Sequence, residues 1–110
     1  MIELPYPPSS NRYWRHVGNK TLKSEEARNY QTTAGWLWKA TGVDMLDGDV
    51  CVSLRIFRPQ RRGDLDNRIK VLLDALNGIA YEDDGQVVEL HAYLGDDKKN
   101  PRVELEVVAA

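Results

Sequence analysis

The sequence predicts an α+β fold: a small mixed β-sheet with two helices packed on it, in the order β-α-β-α-β-β. Three observations carry this prediction. Four segments alternate apolar and polar residues, which is the period of a strand. Two others repeat apolar residues at the spacing of a helix. Proline and glycine punctuate the boundaries between them.

The elements follow in order. Ile2, Leu4 and Tyr6 alternate with Glu3 and Pro5, and Pro7 and Pro8 end this strand because proline lacks the N–H that a ladder needs. Residues 9–23 are polar and read as loop. Ser24 is suited to cap a helix, with Glu25 and Glu26 near its positive end. Ala27, Tyr30, Ala34, Leu37, Trp38 and Thr41 then recur at helical spacing as far as Gly42. Val50, Val52, Leu54 and Ile56 alternate with Cys51, Ser53, Arg55 and Phe57, giving a strand with one strongly apolar face. A basic loop, residues 59–63, follows. Leu65, Ile69, Leu72, Leu73 and Leu76 form the clearest helical stripe in the chain, which Asn77-Gly78 ends. Val88, Leu90, Ala92 and Leu94 mark a third main strand, and Val103, Leu105 and Val107 a fourth. The turn-forming residues 96–101 predict that these last two strands form a hairpin.

A chain of 110 residues with 42% apolar and 29% charged residues is ordinary for one folded domain, here residues 1–110. No apolar run is long enough to span a bilayer, and the opening MIELPYPPSS has neither a basic leader nor an apolar stretch. The single cysteine, Cys51, cannot close an internal disulfide. Together these features predict a cytoplasmic protein with no membrane partner. The net charge of −2 gives no hint of a polyanionic ligand. Its distribution does: residues 1–40 carry +3, residues 41–70 carry +1, and the remainder carries −6. Between positions 55 and 70, Arg55, Arg58, Arg61, Arg62, Arg68 and Lys70 face only Asp64 and Asp66. A local basic field attracts phosphate whatever the global sum, although a solvated charged surface gives the same count.

Three segments carry possible chemistry. In Asp64-Leu65-Asp66, two carboxylates stand two residues apart at the entry to the second helix, a spacing that puts both on one side of an extended segment. Asp66, Lys70 and Asp74 then share one helix face, opposite the apolar stripe. Glu82-Asp83-Asp84 concentrates three acids just before the third strand, where they repel one another unless a cation lies between them. Hard oxygen ligands of this kind suit Mg²⁺ or Mn²⁺. The blander readings are a helix cap for Asp66, a turn for Asp64 and a solvated acidic loop. A calcium loop fails on spacing, since the sixth position from Asp64 is Ile69 and the twelfth is Ala75. His16, His91 and Cys51 are too few for a typical zinc site. The third segment, Asn11-Arg12-Tyr13-Trp14-Arg15, interleaves cations with aromatics, as suits phosphate contact and base stacking, or equally a packed core.

Read together, P-P-S-x-N-R-Y-W-R, D-L-D-N-x-x-K-x-x-x-D-A-L and E-D-D-x-Q-V-V resemble the RusA family of Holliday junction resolvases, in order and over nearly the whole chain. The resemblance implies a homodimeric, metal-dependent endonuclease that cuts four-way DNA junctions by paired symmetric nicks. It implies Asp64, Asp66 and Asp84 as metal-binding and catalytic carboxylates, Lys70 as a catalytic lysine, and Mg²⁺ (Mn²⁺ as the alternative) as cofactor. Asn11, Arg12, Arg15, Arg61, Arg62 and Arg68 are the corresponding DNA-contact candidates. Asn67 and Asp74 match recurrent motif positions, and Gly63 stands where a further basic residue is common. Small resolvases of this type are often associated with phage or prophage DNA. The alternatives are a non-catalytic junction- or DNA-binding protein and a small metal-binding interaction domain.

Overall fold

The central strand, β4 (Val50–Arg58), organises the molecule. In the computed structural model, which describes residues 1–61 and 65–110, β4 lies in a four-stranded sheet with β1 (Ile2–Pro5), β5 (Val87–Asp96) and β6 (Arg102–Ala109). The order across the sheet is β1-β6-β4-β5. β4 runs parallel to β5 and antiparallel to β6, and β6 is antiparallel to β1. The expected hairpin of the last two strands therefore does not form. β4 separates them, and the connecting turn passes over the end of β4. There Asp97 N–H donates to the Arg58 carbonyl at 2.7 Å, and Arg58 pairs with Asp96 at 2.8 Å. The physical reason is burial: β4 is the most apolar strand and is best satisfied with a partner on each side.

Alternation along β4 buries Val50, Val52, Leu54 and Ile56 on one face of the sheet. α2 (Glu25–Ala40) and α3 (Leu65–Ala75) cover that face. Tyr30, Ala34 and Trp38 from α2 and Leu72, Ala75 and Leu76 from α3 and its end complete the core with Leu4, Val103 and Leu105. The Ser24 hydroxyl accepts from Ala27 N–H at 3.0 Å and caps α2 as expected. Past α3, Gly78 takes φ +76°, a left-handed conformation that stops the helix. Leu90 and Leu94 pair with Val52 and Ile56, yet both stay exposed because β5 forms the sheet edge.

Residues 9–23 are not a loop. They form a short helical turn, α1 (Ser10–Tyr13), and a hairpin of β2 (Trp14–Val17) and β3 (Lys20–Lys23). Gly18, with φ +60°, opens the two-residue turn, a position that favours glycine. Both strands lie almost wholly in solvent, so they lack the apolar face that would betray them in the sequence. Its apolar anchor is Tyr13, fully buried against Ala27 and Val71. No helix of the described residues is long and apolar enough to cross a membrane.

Candidate metal and nucleic-acid site

α3 organises the acidic groups. Asp66 lies exposed in its first turn, Lys70 follows one turn later, and Asp74 one turn later again. Eight residues of helix place Asp66 and Asp74 about 12 Å apart along the axis. Asp74 is the most engaged of the three. It accepts from the Tyr13 hydroxyl at 2.5 Å and pairs with Lys23 at 3.3 Å. Lys70, which the sequence offers as a partner for Asp66 or Asp74, forms no ion pair among the described residues. It lines an open cleft of about 500 Å³ with Asn11, Trp14 and His16.

The Asp83–Asp84 loop sits at the other end of α3. Asn77 Nδ2 lies 3.4 Å from both Asp74 Oδ1 and Asp84 Oδ2. The Asn77 amide oxygen is buried without a partner among the described residues. The Asn77 amide nitrogen thus faces both carboxylates and holds Asp74 and Asp84 near each other, and carboxylate oxygens are donors of the kind hard divalent cations prefer.

Gln86 holds this loop in place. Its side-chain oxygen accepts from Glu82 and Asp83 N–H at 3.0 and 3.1 Å. Its amide nitrogen donates to the Leu46 and Gly48 carbonyls at 3.0 and 2.8 Å. Asp83 caps the single 3₁₀ turn that begins at Asp84. Beneath lies Tyr81, fully buried, its hydroxyl donating to the Leu73 carbonyl at 2.6 Å. Burial, then the charges of Asp84, Asp74 and Asp83, hold its phenol well above the usual tyrosine range.

Tyr13 is raised by burial and by its bond to Asp74, and Tyr30 by burial. These three shifts predict alkaline lability. An unfolded tyrosine ionises near about 10, whereas the folded chain keeps these phenols protonated. Stability is therefore fully present below that value and falls as pH rises above it. The expected slope approaches about 4 kcal/mol per pH unit for three silent tyrosines. Thermal midpoints measured against tyrosinate absorbance will check it: these phenols should ionise only on unfolding.

The structure thus places Asp66 and Lys70 on α3, and Asp84 on a separate 3₁₀ turn that Asn77 holds near the far end of that helix. Asp64 and Arg62 lie outside the described residues. Among the DNA-contact candidates, Arg12 and Arg68 line a second cleft of about 480 Å³ bounded by Pro5, Pro7, Pro8 and Pro59. Arg12 is paired there with Glu26 at 3.0 Å. Arg68 stacks over Tyr6 at 5.1 Å, and its Nε and Nη1 find no acceptor among the described residues. Asn11 and Arg15 are exposed on α1 and the hairpin, and Arg61 is exposed after β4. Sequence reasoning offered Tyr13 as a stacking or a core residue, and the core reading holds; it missed Lys23 and the bonds of Asn77 and Gln86. The glutamine in E-D-D-x-Q-V-V was the available signal.

Exposed carboxylates on and beyond α3, with clefts that Lys70, Arg12 and Arg68 line, are features that suit a protein that meets a polyanion. Comparison with known proteins narrows the class. Residues 5–108 match the family described as Endodeoxyribonuclease RusA. The chain is 36% identical over 109 residues to the crossover junction endodeoxyribonuclease rusA of Enterobacteria phage 82, covering 96% of this chain and 91% of that one. The same figures hold for the crossover junction endodeoxyribonuclease RusA of Escherichia coli strain K12 and of Shigella sonnei strain Ss046. The chain belongs to the RusA family.

Proposed function

We propose that this chain is a structure-selective endodeoxyribonuclease of the cytoplasm. It uses Mg²⁺, for which Mn²⁺ can substitute, and resolves four-way DNA junctions by paired symmetric nicks in recombination and repair. The observation that carries the reading is membership of the RusA family along residues 5–108, with the three acidic positions and the lysine all present. Asp64, Asp66 and Asp84 are the ion's ligands in this reading, and Asn77 orients Asp84. Bound there, the ion supplies Lewis acidity toward a scissile phosphodiester. Lys70 offsets charge that develops on the phosphate. Asn11, Arg15, Arg61, Arg62 and Arg68 hold the DNA backbone, and Arg12 joins them when it leaves Glu26.

The separation along α3 bears on assembly. Ligand oxygens around one Mg²⁺ lie within about 4 Å of one another. In this reading Asp66 and Asp84 stand too far apart to share one ion within a single chain, since about 12 Å of helix axis separates Asp66 from Asp74, near which Asn77 holds Asp84. A two-fold homodimer resolves this by setting the α3 entry of one copy against the Asp84 loop of the other, and it generates two such sites for two related strands. The unpaired edge strand β5, with Leu90 and Leu94 exposed, is a surface that a second copy can cover.

The direct test is nicking of a labelled four-way junction against plain duplex, with Mg²⁺ and with chelator. Junction-selective, metal-dependent paired nicks are expected. Binding without cleavage would leave the non-catalytic reading standing. Junction affinity should also fall steeply with salt, and Arg15→Ala and Arg61→Ala should each reduce the slope of log affinity against log salt by about 1. A flat response would remove these residues from the interface.

A further inference from the structure

On the opposite face of the sheet from α3, three side chains of different ligand types converge. Cys51 opens the outward row of β4, and Glu89 pairs with it directly across the parallel ladder. His91 follows Glu89 on the same face of β5. Their ligand atoms all lie within 4.8 Å of one another, and no other group of three metal-ligating side chains is found among the described residues. We propose that Cys51, Glu89 and His91 bind one zinc-class divalent cation, with a fourth position open to water.

The chemistry favours a borderline-soft ion over Mg²⁺. One sulfur, one imidazole nitrogen and one carboxylate oxygen form the mixed set that Zn²⁺ accepts and that hard cations do not. Around a tetrahedral zinc, such atoms stand about 3.3–3.6 Å apart, so only side-chain rotations are needed to close on an ion. The backbone is already fixed by the β4–β5 register. His91 Nε2 and Glu89 Oε1 are 3.0 Å apart, and the ion would take the place of this hydrogen bond, with the neutral imidazole carrying its proton on Nδ1.

The field is favourable as well. Burial, then the Glu89 carboxylate, push the Cys51 thiol up. A divalent ion inverts that field. On binding, the S–H bond breaks, sulfur keeps the electron pair as a metal–thiolate bond, and the proton leaves to solvent. The negative surroundings that disfavour a bare thiolate thus favour the cation. The proposed ion would clamp β5, which pairs only with β4, to the rest of the sheet. It is separate from the carboxylates of α3 and independent of the nuclease reading.

The test uses Co²⁺ as a spectroscopic probe on the full, metal-free chain. One equivalent should give thiolate-to-cobalt charge transfer in the near ultraviolet and the intense visible bands of a tetrahedral site. Zn²⁺ should abolish both, and millimolar Mg²⁺ should not. Cys51→Ser should lose the charge-transfer band. Glu89→Gln and His91→Ala should each weaken Co²⁺ binding roughly tenfold or more. All three positions lie on the outward sheet face, so circular dichroism of the metal-free variants should match the parent and exclude misfolding. Absence of the thiolate band would overturn the proposal. So would a band that survives both Glu89→Gln and His91→Ala at unchanged affinity, since that describes a cysteine binding metal alone.

Discussion

Asp84→Asn is expected to lower cleavage of a four-way junction by roughly 10²-fold or more, and Asp66→Asn to do the same. Each replacement keeps the shape of the side chain and removes one anionic ligand, so folding should be preserved and metal-dependent chemistry lost. The two variants together say more. If each site draws Asp66 from one protomer and Asp84 from the other, mixing the inactive variants yields heterodimers with one intact site and one doubly disabled site. Nicking of a single strand then returns, without paired resolution. If both acids serve within one chain, the mixture stays inactive. Wild-type cleavage by Asp84→Asn would remove it from the catalytic set.

The largest expected effect on stability is that of Tyr81→Ala. Tyr81 is fully buried, packs into the core shared by the sheet and α3, and binds the Leu73 carbonyl. Truncating a buried aromatic costs about 3–5 kcal/mol, a large share of the ~5–15 kcal/mol that holds a domain together. Tyr81→Phe keeps the ring and leaves one carbonyl without its donor, at about 1–2 kcal/mol. Chemical denaturation of the three proteins checks both figures. Because Tyr81 lies under Asp83 and Asp84, Tyr81→Phe should also perturb metal dependence more than a remote core change of equal cost, such as Val52→Ala.

How much of this was legible in the sequence depended on whether an element owns an apolar face. β4 and α3 do, and their limits were read to within a residue or two. Ser24 announced α2 through a local rule of capping. The β2–β3 hairpin has no buried face, and its one local signal was the pair Gly18-Asn19. The hairpin expected between β5 and β6 failed for a different reason. A short polar turn between two strands says that they are close, not that nothing lies between them. That β4 inserts there is a decision of the whole core, taken by Val52, Leu54 and Ile56 seeking partners on both sides. The acidic positions were visible as motifs. Their separation to opposite ends of α3 needed the helix to be built, and the meeting of Cys51 with His91 needed the β4–β5 register.

The pairing of β1 with β6 has a consequence for how the molecule is made. Ile2 lies opposite Leu105 and Leu4 opposite Val103, so during synthesis β1 waits for β6, the last of the described strands. Until then Leu4 has no sheet to join, and β4 itself lacks one of its two neighbours. Contacts between such distant positions are slow to form, because the intervening chain must be gathered first. Synthesis therefore runs ahead of folding, and a nascent chain stalled before β6 would display β4 as an unprotected apolar edge. During that interval the protein is most exposed to aggregation and to proteases.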